Sequence, residues 1–114
     1  VDKKSIKLVF KRDKVCWHCG LDDDTLILHH RKNRGMGGSP SRDTLANVIL
    51  VCSRYNQQME DSGLWAARAR EHGHKLASWQ KPDSVPVFSV PDQEWFLLDD
   101  KGGRVNVEEI SGIQ

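Results

Sequence analysis

The residues best suited to chemistry lie between Leu26 and Glu60, in the stretch LILHHRKNRGMGGSPSRDTLANVILVCSRYNQQME. Two histidines, His29 and His30, end an apolar run. A Gly-rich basic loop follows, then Asn47, a second apolar run from Val48 to Val51, and Asn56 and Glu60 in a segment of helical character. Neutral imidazole accepts protons at physiological pH and binds metals. Amide and carboxylate oxygens suit hard divalent ions. One such ion beside one general base is the combination that phosphodiester hydrolysis calls for. Asn56 and Glu60 are four residues apart and so share a helix face. Adjacent residues of a regular strand point to opposite faces, so His29 and His30 can serve one site only if the strand ends or twists there. A second cluster is Cys16-x-x-Cys19, whose spacing suits a zinc knuckle rather than a disulfide; Cys52 makes the count odd.

The elements that must position these groups follow from local pattern. Ile6, Leu8 and Phe10 alternate with Lys7 and Val9, a weak strand signal inside a basic segment, so residues 1–14 read either as a solvated arm or as a strand or arm lying near a DNA backbone. Cys16 to Gly20 reads as a tight knuckle, with Gly20 free to take positive φ. Leu26 to His30 and Val48 to Cys52 read as strands. Gly35, Gly37, Gly38 and Pro40 make 32–42 a loop. Ser53 is the expected N-cap of a helix from about Arg54 to Glu71, slackened at Gly63 and capped by Gly73. Beyond His74, prolines separate β-like runs at 85–90, 94–98 and 104–107, with Asp99 to Gly103 as a hairpin turn.

The string HHR…RGMGGS…LAN…C resembles the HNH endonuclease family, whose core is a small ββα-metal fold. The motif match runs over about residues 15–62. It continues loosely to about 105, where SWQKPDSVPVF…EWFLLDD looks like the tail of HNH proteins of phages of actinobacteria. The resemblance implies an α+β chain with a nuclease core at 15–74 and a β-rich appendage at 75–114. It implies His29 as metal ligand, His30 as general base, and Asn47 as the residue that ties the loop and holds the base. Asn56 falls where histidine is commonest, making an HNN variant, and Glu60 is a further candidate ligand. With oxygen donors at both positions, Mg2+ or Mn2+ is expected over Zn2+ for catalysis. In zinc-bearing relatives two C-x-x-C pairs hold a structural zinc, whereas here Tyr55 takes the fourth place. Either the three thiolates hold zinc with a water or with His18, His72 or His74, or the cysteines are simply buried.

Arg31, Lys32, Arg34 and Arg42 surround the loop glycines and are expected to clamp phosphates of double-stranded DNA without reading bases. Net charge is only +1, but it is unevenly spread. Up to Ser62 there are 11 Lys and Arg against 8 Asp and Glu; beyond it, 6 against 8. The half with the motif is thus the basic half. The four tryptophans are expected to pack rather than to stack on bases. With 114 residues and 38% hydrophobic content, one domain or two at most is expected, with a modest core that benefits from a metal or partner. No signal peptide or membrane-length apolar run is seen, so a cytoplasmic setting is expected, that of a host cell if the chain is phage-encoded. The Val1 start suggests that residues upstream are missing. Packaging with terminase is implied by resemblance alone. The competing readings are a non-catalytic DNA-binding or packaging-accessory module with a degraded site, and a zinc-ribbon interaction module that leaves the histidines and asparagines as coincidence.

Overall fold

Among the described residues, Val48 to Cys52 is the one strand whose five side chains are all buried, and the other elements are arranged around it. A computed structural model describes residues 2–33 and 43–108. The strand, β2 (Val48–Cys52), pairs antiparallel with β1 (Leu26–His30), Leu26 opposite Cys52 and His30 opposite Val48. Alternation sends Val48 and Leu50 to one face, where they meet Val9 and Leu45. Ile49 and Val51 go to the other and pack with Trp17, Tyr55, Met59, Val87, Phe96 and Leu98. Each such burial is worth about 1.5–3 kcal/mol, so a run of apolar residues at this position anchors both layers.

The first layer is a helix, not the arm or strand expected of residues 1–14: α1 spans Lys3–Asp13. Asp2 caps it by accepting from the Ser5 N–H at 2.7 Å, and Lys11 and Arg12 lie in its last turn, where the helix dipole favours cations. Val9 and Asp13 are buried, with Ile6 half-buried on the same side, a helical recurrence. Phe10, which made the strand alternation, is 40% exposed. Arg12 and Asp13 then lock α1 onto the outer edge of β2. Arg12 donates to the Leu45 and Val48 carbonyls and to the Asp13 carboxylate, which accepts from the Leu50 N–H. Together with the Trp17 N–H on the Leu50 carbonyl, this covers an edge that would otherwise be open to strand pairing.

The helix expected from about Arg54 to Glu71 is two helices, α2 (Ser53–Asp61) and α3 (Gly63–Glu71). Ser62 breaks it: its backbone is extended (φ −128°, ψ 124°) and its hydroxyl caps α3 at the Trp65 N–H. Serine competes for backbone donors and glycine is a poor helix former, so Ser62-Gly63 stops the run. Cys52, rather than Ser53, is the N-cap of α2, its sulfur accepting from the Tyr55 N–H at 3.4 Å. Gly73 ends α3 as expected, with φ +73°; a Cβ there would stand 2.1 Å from the Pro86 carbonyl oxygen.

Strands β3 (Val87–Ser89), β4 (Glu94–Leu98) and β5 (Arg104–Asn106) form a second antiparallel sheet in that order. The Asp99 carboxylate closes the β4–β5 turn by accepting from the N–H groups of Lys101 and Gly103, both at 2.8 Å. This sheet is less an appendage than expected. Its inward residues Val87, Phe96 and Leu98 share one core with β2 and α2. The chain is therefore α+β, with a hairpin between a helix on one side and two helices plus a small sheet on the other. Among the described residues, no helix is long and apolar enough to cross a membrane.

Candidate active site and cysteine cluster

The hairpin carries a polar cluster at each end. At the His30 end, His29 is buried against the α2 side, and its Nε2 lies 2.8 Å from the His74 carbonyl. A carbonyl only accepts, so Nε2 carries the proton and the ring's lone pair is on Nδ1. Burial pushes the His29 pKa down to about 4. The His74 carbonyl and the Asn56 side chain pull it back up, while Lys75 and His30 add to the depression. His29 is thus neutral near pH 7, with the side-chain amide of Asn56 hydrogen-bonded to its ring. Glu60, one turn further along α2, is exposed.

His30 ends β1 and is half-buried. Its Nε2 lies 2.8 Å from Oδ1 of Asp43, with each side chain 21% exposed. β1 ends at His30, the condition under which neighbouring histidines can serve one site, and the charge of His30 acts on His29. Asn47 is bonded to the chain just beyond His30. It is fully buried, its Oδ1 accepts from the Lys32 N–H at 2.8 Å, and its Nδ2 donates to the Lys32 carbonyl at 3.1 Å. Its own carbonyl accepts from the Arg31 N–H at 2.7 Å. The amide side chain therefore adds a rung to the β1–β2 ladder just beyond His30.

Arg31 is not available to a phosphate. It is 1% exposed, and its guanidinium donates to the carbonyls of Gly73, Ala46, Pro82 and Val85 at 2.7–2.9 Å. Burial lowers its pKa to about 9, so it remains a cation that ties three segments together. The planar five-donor guanidinium is what allows this. Lys32 is half-buried, with its backbone held by Asn47. Arg34 and Arg42 lie outside the described residues. A cation that the sequence did not point to, Lys75, lies close enough to act on His29. The His74 carbonyl on His29 and the Leu76 N–H on the Arg31 carbonyl bracket Lys75 beside β1, and its charge acts on His29. The sequence did not point to Asp43 or Lys75, and it offered His74 as a zinc ligand rather than as the partner of His29; only Asp43 lies near the motif in sequence. Trp79, expected to pack, is 83% exposed.

At the Cys52 end, Cys16, Cys19 and Cys52 converge, their sulfurs all within 4.8 Å of one another, close enough to hold one metal ion. The knuckle forms as expected. Gly20 takes φ +72°, and the Cys16 sulfur accepts from the N–H groups of His18 and Cys19. Without a metal, burial and the neighbouring sulfurs push the Cys19 thiol up to about 12, and burial raises Cys16 as well. Tyr55 is turned to other use: its hydroxyl donates to His74 Nδ1 at 2.6 Å, while His74 Nε2 donates to the Phe88 carbonyl at 2.8 Å. His74, with both nitrogens occupied, is no fourth ligand. His18 stacks on Tyr55 at 4.1 Å with its Nδ1 3.4 Å from the Cys19 sulfur.

Comparison with models of protein families, with curated proteins and with solved structures finds no match to this chain.

Proposed function

We propose that this chain is a metal-dependent DNA endonuclease of the HNH kind in its HNN form, built on a ββα-metal core formed by β1, β2 and α2. The observation that carries the reading is His29: a buried, neutral imidazole held by a backbone carbonyl with Nδ1 unprotonated and an amide from α2 on its ring. Metal-binding histidines commonly have such a partner on the other nitrogen. His29 and Asn56 would hold the divalent ion, with Glu60 within one turn, and the oxygen donors favour Mg2+ or Mn2+. The ion would supply Lewis acidity toward the scissile phosphate. His30 takes the proton from the attacking water. Asn47 fixes the backbone behind His30. Lys75 and Lys32 offer positive charge to the phosphates of double-stranded DNA. Cys16, Cys19 and Cys52 would hold a zinc ion whose role is to stabilise the fold.

The test is supercoiled plasmid with Mg2+ or Mn2+, read on a gel, for the wild type and for His30→Ala. Cleavage by the wild type that is lost in the variant is expected. A wild type that binds duplex but never cuts would favour the second reading, a DNA-binding or packaging-accessory module, for which asparagine in place of histidine at position 56 is the argument. A role beside terminase in the host cytoplasm rests on resemblance and is tested by co-purification.

A further inference from the structure

The base assigned above has a partner that neither the motif nor the family resemblance names. His30 Nε2 is 2.8 Å from the Asp43 carboxylate, and the two groups are equally shielded. An ionised carboxylate only accepts, so the shared proton belongs to Nε2 and the lone pair of neutral His30 to Nδ1. We propose that Asp43 is the positioning residue of His30: it selects the Nε2–H tautomer, aims the ring, and leaves Nδ1 as the nitrogen that receives the proton.

The inference rests on the reading of His30 as base, but its geometry has independent support in one short turn. Residues Leu45–Asn47 form a single 3-10 turn, entered from Thr44, whose carbonyl accepts from the Asn47 N–H at 3.0 Å. Asp43 stands at the entrance of that turn and Asn47 at its exit. The turn is itself held from three other segments: by Arg12 on the Leu45 carbonyl, by Arg31 on the Ala46 carbonyl, and by the Asp100 carboxylate, which accepts from the Ala46 N–H. One rigid turn therefore grips His30 twice, by its ring through Asp43 and by the backbone beyond it through Asn47. A base held by a supporting shell of this kind keeps its geometry without reorganising at the moment of reaction.

The proton balance is simple. The O–H bond of the attacking water breaks and an Nδ1–H bond forms. The electron pair left on oxygen makes the new bond to phosphorus, the bond to the leaving 3′-oxygen breaks, and that oxygen takes a proton from solvent. Nε2–H stays donated to Asp43 throughout, and the carboxylate faces the imidazolium that forms, the arrangement that orients histidine in hydrolytic triads.

Two readouts test this on the whole protein. The first is the 15N NMR spectrum of the imidazoles, with His30 assigned by its loss in His30→Ala. Wild type should show a single Nε2–H tautomer for neutral His30, and Asp43→Ala a mixture; a wild-type His30 protonated at Nδ1 overturns the proposal. The second is single-turnover cleavage with affinity for an uncleavable duplex measured alongside. Asp43→Ala should cleave about 10–100-fold more slowly, the usual worth of an orienting partner, with affinity unchanged. Asp43→Glu should recover part of the rate because it restores the carboxylate. If the wild type cuts and Asp43→Ala cuts at the same rate, the positioning role fails while His30 as base survives. If the wild type cuts but His30→Ala also cuts at the same rate, the base reading fails and takes the catalytic role of Asp43 with it. The tautomer measurement still reports whether the pair exists.

Discussion

The two ends of the β1–β2 hairpin carry polar clusters of opposite character. At the histidine end, polar groups are fixed by the protein itself: His29 by a carbonyl, His30 by a carboxylate, the Lys32 backbone by Asn47. At the cysteine end, three sulfurs are gathered, but the thiols of Cys16 and Cys19 hold their protons more tightly than usual. One end is preorganised without an ion; the other becomes a ligand set only when a metal displaces protons. Residue 74 joins them. Its ring accepts from Tyr55 beside the cysteines, and its carbonyl accepts from His29. Tyrosine at position 55 is therefore more than a missing fourth cysteine, because it anchors the residue that orients the proposed metal ligand.

The strongest way to break this comparison is to separate the histidines. His30→Ala is expected to lose about 10²–10⁴-fold in single-turnover cleavage while keeping metal and DNA affinity. His29→Ala should lose metal affinity together with activity, read by metal titration. Equal loss of melting temperature in both, with no specific effect on hydrolysis, would reduce them to packing residues.

Arg31 sharpens the same point. Because four carbonyls depend on it, Arg31→Ala should lower stability by about 3 kcal/mol or more, each unpaired buried acceptor costing roughly 1–3 kcal/mol. Denaturant titration measures this. In a variant stable enough to assay, such as Arg31→Lys, the salt dependence of duplex binding should be unchanged. Lys75→Ala, by contrast, should flatten it.

Acid should weaken the histidine end selectively. His29 and His74 titrate at about 4 and about 3 in the fold, both pushed down mainly by burial, against 6.5 ordinarily. Below pH 6.5 the unfolded chain binds protons that the native rings refuse. Stability is therefore complete above 6.5 and is lost as pH falls toward these values, by about 3 kcal/mol per ring near pH 4. Denaturant midpoints between pH 7 and 4 read this directly. His29→Gln should make the slope shallower.

The smallest effects belong to Tyr55. Tyr55→Phe leaves His74 Nδ1 buried without its donor and should cost about 1–3 kcal/mol. Tyr55→Cys should raise zinc retention through chelation, measured by elemental analysis. The same variant should melt below wild type in the metal-free state, since it removes both the anchor of His74 and a large buried ring. A metal-free Tyr55→Cys protein as stable as wild type would sever the proposed link between the two ends.

What could be read from the chain alone was local. The all-apolar run 48–52 had to be a buried strand. Gly73 had to end a helix, and Asp99 to Gly103 had to turn. The C-x-x-C spacing had to form a knuckle. The gathering of His29 with Asn56, and of Cys52 with the knuckle, followed once hairpin and helix were in place. Periodicity misled only where two periods overlapped: Ile6, Leu8 and Phe10 alternate as in a strand, yet Asp2 caps a helix whose buried face recurs at Val9 and Asp13. The rest depended on contacts between residues far apart in sequence. His74 meets His29 across 45 residues, and Arg31 reaches Val85 across 54. An arginine looks the same in sequence whether it faces a phosphate or four buried carbonyls, and a carboxylate shows no sign of which imidazole it will meet. Only the packing of α1, the 3-10 turn, and the segment after α3 around one strand decided which of these polar groups were structural and which remained free to act.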